Sequence, residues 1–349
     1  MNQKLRIGIN GFGRIGRIVS RQIIEDTNIE IVAINDIIND IDNLIYLYNY
    51  DSTYGKSQKK IKKIDESNVS VNQQEIKIYR ENEIKNIDWQ SHNVDILVDC
   101  SGVKKNILQS REIAKNSKIK IIFTNSCGDL SDKEIIMGIN DEDLNLQKHK
   151  LISASICDAN AISHILKYID QKFIIKKGFI TTLHPWLSYQ NITDAPLRSQ
   201  SNPSKFWNDF SLGRSSINNL IPKNTTAVNS LKYVLPDLEQ RILGFSYRVP
   251  SSIVCSADIS LQIQKIVKKD ELTESLEKKF KNSPYVGLNY ESLVSSDYIR
   301  NTKSCTIDLQ WINVNDDFIK IVCWYDNEWG YSSRIIDLIK KIKKLEKII

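Results

Sequence analysis

Residues 5 to 16 read Leu-Arg-Ile-Gly-Ile-Asn-Gly-Phe-Gly-Arg-Ile-Gly. The first six alternate apolar and polar side chains, the pattern of a strand, and a helical pattern follows the glycines to about Glu25. Strand, glycine turn and helix in immediate succession have a physical use. Of Gly11, Gly13 and Gly16, one permits the tight turn, a second lets a pyrophosphate approach the backbone, and a third lets the helix pack closely on the strand. The helix N-terminus then faces the phosphates. A second apolar strand, 29 to 34, ends at Asn35-Asp36, placing Asp36 twenty residues after Gly16, where an acid accepts both ribose hydroxyls. A carboxylate there repels a 2′-phosphate, so the expected cofactor is NAD rather than NADP.

Working outward, apolar strands at 94 to 100 and 119 to 124 extend a parallel sheet, with a polar helix-like stretch near 110 to 115. From Cys157 the texture changes. A helical stretch at 159 to 168 precedes strands at 178 to 183, 243 to 249, 253 to 264, 305 to 311 and 318 to 324. Strands in succession with long connections suggest an α+β unit with a largely antiparallel sheet. The expected architecture is therefore α/β: an N-terminal Rossmann dinucleotide-binding domain, 1 to 156, and an α+β catalytic domain, 157 to 332. The amphipathic helix expected at Ser333 to Lys347 packs back on the first domain.

Length and composition agree with this division. A chain of 349 residues is too long for one ordinary core, and 41% apolar with 26% charged residues is the balance of a folded protein. The six cysteines (100, 127, 157, 255, 305 and 323) show no CxxC pairing and no signal peptide precedes them, so reduced thiols in a cytoplasmic setting are expected. No apolar run is long enough to cross a bilayer. The net charge of +6 is spread among acidic residues, and Lys340 to Lys347 reads as the polar face of a helix, so neither a nucleic-acid nor a membrane partner is expected. No histidine pair has ligand spacing and the cysteines stand apart, which argues against a metal.

Several segments of the second half carry a specific likeness. Ser155-Ile156-Cys157-Asp158-Ala159-Asn160 is similar to the nucleophile segment Ser-Cys-Thr-Thr-Asn of glyceraldehyde-3-phosphate dehydrogenases. Thr181-Thr182-Leu183-His184 resembles that family's Thr-Thr-Val-His, Tyr247-Arg248-Val249-Pro250 its Phe-Arg-Val-Pro, and Trp324 to Tyr331 its late aromatic motif. Tyr50 to Gly55 fits as well, and the likeness runs in order from Arg6 to about Leu338. The resemblance implies Cys157 as nucleophile and His184 as its base. It also places Arg14, Ile15, Arg80 and Thr124 along the cofactor, sets Asn327 on the nicotinamide carboxamide, and implies a homotetramer acting on a small-molecule aldehyde.

The chemistry is coherent in its own right. A thiol attacks an aldehyde, hydride leaves to the nicotinamide, and a second nucleophile releases the thioester. Cys157 starts a predicted helix whose dipole favours the thiolate, and an imidazolium at His184 is expected to lower the thiol pKa further. Cys127, Cys255 and Cys323 read as packing, and His92, His149 and His164 as surface or helix-face residues.

Departures from the family pattern collect around the substrate. Hydroxyl residues flank the family's cysteine, whereas Ile156 and Asp158 stand here. Two threonines after the family's histidine are matched by Leu187 and Tyr189, with Trp186 between them and His184. Thr225 and Arg248 keep phosphate-contacting positions, Thr226 replaces a glycine, and the loop from 191 to 213 is longer than the family's. The expectation is an altered aldehyde, larger or less anionic, with weakened use of inorganic phosphate. Two readings compete with it: ordinary phosphorylating glyceraldehyde-3-phosphate oxidation, and an NAD-binding regulatory protein with reduced catalysis.

Overall fold

The computed structural model describes residues 4–38 and 40–346, which build two large sheets. The first has the order Lys133–Glu134, Leu151–Ser153, Lys120–Phe123, Ile96–Asp99, Leu5–Asn10, Ile29–Asn35, Gln74–Tyr79, Asn68–Val71 and Lys62–Lys63. All neighbours from Lys133–Glu134 to Gln74–Tyr79 are parallel, and the last two strands close the edge as antiparallel pairs. The chain begins in the middle, moves outward to Gln74–Tyr79, and returns to the other side of its first strand at Ile96–Asp99. Such a reversal opens a crevice at the carboxyl ends of the strands on either side of it.

Both faces of this sheet are covered at its centre, which is why Ile96–Asp99 and Lys120–Phe123 are buried along their whole length. Ile96 and Val98 enter one core with α1 (Arg14–Glu25) and α2 (Ile41–Asn49), while Leu97 enters the opposite core with Trp89 and α3 (Lys104–Asn116).

The second sheet runs Ile221–Asn224, Ile242–Val249, Ile175–Pro185, Cys255–Ile263, Phe318–Tyr325, Cys305–Asn315 and Val286–Asn289. It is largely antiparallel; the parallel pairs are Ile175–Pro185 with Ile242–Val249 and Val286–Asn289 with Cys305–Asn315. One face packs on α4 (Cys157–Phe173), α5 (Ala227–Val234) and α6 (Lys269–Phe280). On its strands Ile180 and Ile242 point into that core, whereas Phe179, Leu183, Leu243 and Phe245 remain exposed.

The final helix, α7 (Trp329–Glu346), contributes Ile335, Leu338, Ile339 and Ile342 to the core that also contains α1. It starts at Trp329 and not at Ser333. Asp326 Oδ1 accepts the amides of Glu328 and Trp329 at 3.0 and 2.7 Å, satisfying N–H groups that a helix start leaves free. Lys347, where the sequence expectation ended, lies outside the described residues. The sequence reading also lacked α2, α5, α6 and the pair Asn68–Val71 and Gln74–Tyr79. His164 differs too: it is buried within α4, stacked on Tyr285 with ring centroids 5.5 Å apart, so its helix face is an interior one.

Candidate active site

Cys157 is the first residue of α4, and its side chain packs against the cores of both sheets. The approach to it is held tightly. Asn160 Nδ2 donates to the carbonyls of Ala154 and Ile156 at 3.0 Å each, and the Tyr331 hydroxyl donates to the carbonyl of Ser155 at 2.9 Å. These bonds hold Ser155 at φ +59°, a left-handed conformation that a side chain makes costly.

His184 arrives near the end of Ile175–Pro185, with Nε2 3.9 Å from Cys157 Sγ. Its Nδ1 lies 2.8 Å from the Pro185 carbonyl oxygen. A carbonyl only accepts, so Nδ1 carries the hydrogen and Nε2 turns its lone pair toward the sulfur. Asp158 is buried beside them. Its Oδ1 lies 3.4 Å from Cys157 Sγ and accepts the Tyr325 hydroxyl at 2.8 Å, while Thr182 Oγ1 approaches Oδ2 at 3.4 Å.

The electrostatics depart from the expected thiolate and imidazolium. Burial, reinforced by Asp158, pushes the Cys157 thiol well above its ordinary value, against the opposing charge of Arg248. Burial also lowers His184 to about 4, helped by Arg248, which sits opposite it in the strand register. Both shifts favour the uncharged thiol and the uncharged imidazole over the ion pair.

Other expected pocket residues divide. Ile156 caps the start of α4 and packs on the second core, and Thr225 is buried with Oγ1 accepting the Ala227 amide at 3.1 Å. Thr226 is exposed before α5. Trp186 and Leu187 are half-buried beyond the histidine strand. Tyr189 is packing: it stacks on Trp207, centroids 6.4 Å apart, in a small loop core with Leu197, Leu212 and Ile221. That core carries a residue the sequence reading missed. Lys223 lies opposite Ser246 in the register, its ammonium 5.4 Å from the Trp207 ring centroid. Burial, then Arg248, lowers it to about 8, against the opposing charges of Asp158 and Asp209. The legible signal was a lysine two positions before Thr225.

The glycine turn fits a dinucleotide. Gly11 has φ +89° and a Cβ there would stand 2.8 Å from the Ser101 amide nitrogen, and one on Gly16 would stand 2.1 Å from the Gly11 carbonyl oxygen. At Gly13 a Cβ would meet nothing within 4 Å, and no side chain caps α1, so the amides of Arg14 and Ile15 open onto free space. Asp36 is fixed over the turn, accepting the Phe12 amide at 2.6 Å and the Ile38 amide at 3.0 Å. Asn327 is buried with Oδ1 lacking any partner among the described residues, an acceptor suited to a carboxamide N–H. Thr124 follows Lys120–Phe123, its amide and hydroxyl both donating to the Asp99 carbonyl. Two arginine side chains are engaged elsewhere: Arg14 pairs with Glu328 at 2.6 Å and with Asp51, and Arg80 donates to the Glu66 carbonyl.

A dinucleotide cradle on one sheet and, beside the other, a half-buried cysteine at a helix start facing a buried histidine near the end of an interior strand define an NAD-dependent oxidoreductase. Residues 5–107 match the family model described as glyceraldehyde 3-phosphate dehydrogenase, NAD binding domain, and residues 156–327 match glyceraldehyde 3-phosphate dehydrogenase, C-terminal domain. The chain is 32% identical over 339 residues to glyceraldehyde-3-phosphate dehydrogenase 1 of Kluyveromyces marxianus, covering 96% of this chain and 99% of that one. It is 33% identical to the glyceraldehyde-3-phosphate dehydrogenases of Sclerotinia sclerotiorum, over 98% of both chains, and of Priestia megaterium, over 97% and 98%. The chain belongs to the glyceraldehyde-3-phosphate dehydrogenase family.

Proposed function

We propose that this protein oxidises an aldehyde through a thioester on Cys157, with a substrate pocket altered from the family pattern and weakened use of inorganic phosphate. The observation that carries the reading is the lone pair of His184 Nε2 facing Cys157 Sγ at 3.9 Å, its tautomer set by Pro185. As sulfur bonds to the carbonyl carbon, the thiol proton passes through Nε2 to the carbonyl oxygen. Nε2 then removes that hydroxyl proton while hydride leaves carbon, giving the thioester. Bound NAD supplies the hydride acceptor. The amides of Arg14 and Ile15 would hold its pyrophosphate, Asp36 its adenosine ribose and Asn327 its carboxamide. A neutral imidazole is the form that can accept a proton at pH 7.

The second half of the reading rests on the residues flanking the sulfur. A phosphate dianion attacking the thioester meets Ile156 on one side and the Asp158 carboxylate on the other. Two unit charges about 4 Å apart repel by about 4 kcal/mol at an effective dielectric near 20, comparable to several hydrogen bonds. Water is then the acceptor and a free acid the product.

One observation favours ordinary phosphorylating glyceraldehyde-3-phosphate oxidation instead. Lys223 and Arg248 enter none of the ion pairs of the described residues, so two cations near Cys157 stand ready for an anion. They favour an anionic group on the aldehyde, against the less anionic substrate expected from the sequence. Steady-state NADH formation with glyceraldehyde 3-phosphate beside non-phosphorylated and sugar-linked aldehydes, with and without phosphate, separates the two. The expected result is weak phosphate dependence and a free acid by phosphorus NMR. Rapid phosphate-dependent formation of an acyl phosphate from glyceraldehyde 3-phosphate would establish the ordinary reaction.

We further propose a homo-oligomer, consistent with the family. The exposed sheet face offers an apolar patch in which Phe179 lies opposite Leu243 in the register. Among the described residues no helix is long and apolar enough to cross a membrane.

A further inference from the structure

The residues around the sulfur hold a second capability that aldehyde oxidation does not use. Cys157, Asp158 and His184 each present one donor atom, and the three lie within 4.8 Å of one another. Sequence spacing hid this set, because two members are neighbours at the start of a helix and the third comes from a strand.

The distances suit one ion. A tetrahedral zinc with Zn–S about 2.3 Å and Zn–N or Zn–O about 2.0 to 2.1 Å has S···N and S···O edges of about 3.6 Å. Here Sγ···Nε2 is 3.9 Å and Sγ···Oδ1 is 3.4 Å, while the third edge, between His184 and Asp158 and within 4.8 Å, closes to about 3.3 Å by rotation of the two side chains.

The shell behind the donors is also in place. Ligating histidines usually donate their other ring N–H to a carbonyl or carboxylate, and ligating carboxylates are themselves hydrogen-bonded. His184 Nδ1 already faces the Pro185 carbonyl at 2.8 Å, and Asp158 already accepts the Tyr325 hydroxyl at 2.8 Å. A thiolate and a carboxylate bring two negative charges, which balance a divalent cation beside Arg248.

We propose that Cys157, Asp158 and His184 form an inhibitory site for a borderline-soft divalent cation of the zinc type, one ion per chain, with a fourth position open to water. Binding forms Zn–S, Zn–N and Zn–O bonds and releases the thiol proton to solvent; no oxidant or reductant takes part. The bound ion occupies the sulfur and the imidazole lone pair together, so aldehyde oxidation stops while the nucleotide cradle is untouched. Asp158 distinguishes this site from ordinary capture of a reactive thiol, because it makes the ion's hold depend on a carboxylate that does not attack the substrate.

The test uses the NAD-loaded protein with cobalt(II) as the spectroscopic probe and zinc as its competitor. One cobalt per chain is expected, with thiolate-to-cobalt charge-transfer absorption that zinc abolishes, and with proton release on binding. Asp158→Asn should weaken zinc by on the order of 10²-fold, and Tyr325→Phe, which leaves all three donors, by about 10-fold to 100-fold. NAD binding by each variant reports that it is folded. Unchanged zinc affinity in folded Asp158→Asn, or a cobalt complex without the thiolate band, would overturn the site. Neither result bears on whether Cys157 forms a thioester, which the aldehyde assays decide separately.

Discussion

The hydroxyl of Tyr325 lies 2.8 Å from Asp158 Oδ1, the same oxygen that stands 3.4 Å from the sulfur of Cys157. The carboxylate is held from behind, on the side away from the nucleophile. A negative charge fixed there opposes formation of a second one, which is why burial and Asp158 act together on the thiol.

Removing that charge should free the sulfur. In Asp158→Asn the Cys157 pKa is expected to fall, raising iodoacetamide alkylation at pH 7 by on the order of 10-fold. In the unmodified protein alkylation should keep rising through pH 9, since the thiol sits above its ordinary value. Mass spectrometry of the alkylated chain gives both rates. A plateau at acidic pH would mean that the thiolate and imidazolium form after all.

Lys223 gives a pH dependence of the opposite sense. With its pKa lowered to about 8, it is charged below that value and neutral above it. Capture of an anionic aldehyde should weaken as pH climbs through about 8, seen as a rising KM. Lys223→Met should raise KM at pH 7 by about 10-fold to 100-fold, the range of a charge-assisted hydrogen bond, and flatten that limb. If the variant kept the full rise in KM, the titrating group would lie elsewhere.

The apolar face of the second sheet supplies a test of assembly. Phe179→Glu combined with Leu243→Glu places like charges opposite each other in the register and, if the face is covered by another copy, at the centre of the contact. Light scattering should then report a smaller particle, with circular dichroism unchanged. An unmodified protein that is already monomeric would contradict the oligomer directly.

What the sequence disclosed followed from how local each feature is. The turn from Gly11 to Gly16 and the acid at Asp36 are local backbone requirements, and local requirements leave local patterns. The hairpin through Asn72 and Gln73 was equally local: Val69, Val71, Ile76 and Ile78 alternate on either side of two residues with positive φ. It was overlooked because strongly polar residues surround those four. Lys223 and the Cys157–Asp158–His184 triangle belong to another kind. Their meaning arises only when separate strands and a helix converge, and no spacing rule along one segment encodes that meeting. Tyr189 shows the reverse case, an aromatic ring beside a motif whose two uses, pocket wall or core, spacing does not separate; here it packs with Trp207.

The clasp of Arg14 on Glu328 joins the first helix to residues more than three hundred positions later, and α7 then completes the apolar interior around α1. On the ribosome this order has a cost in time. The nucleotide-binding half emerges first and keeps one flank bare until residues 329–346 have been made. A chain halted before Trp329 leaves that flank of the nucleotide-binding core open to water.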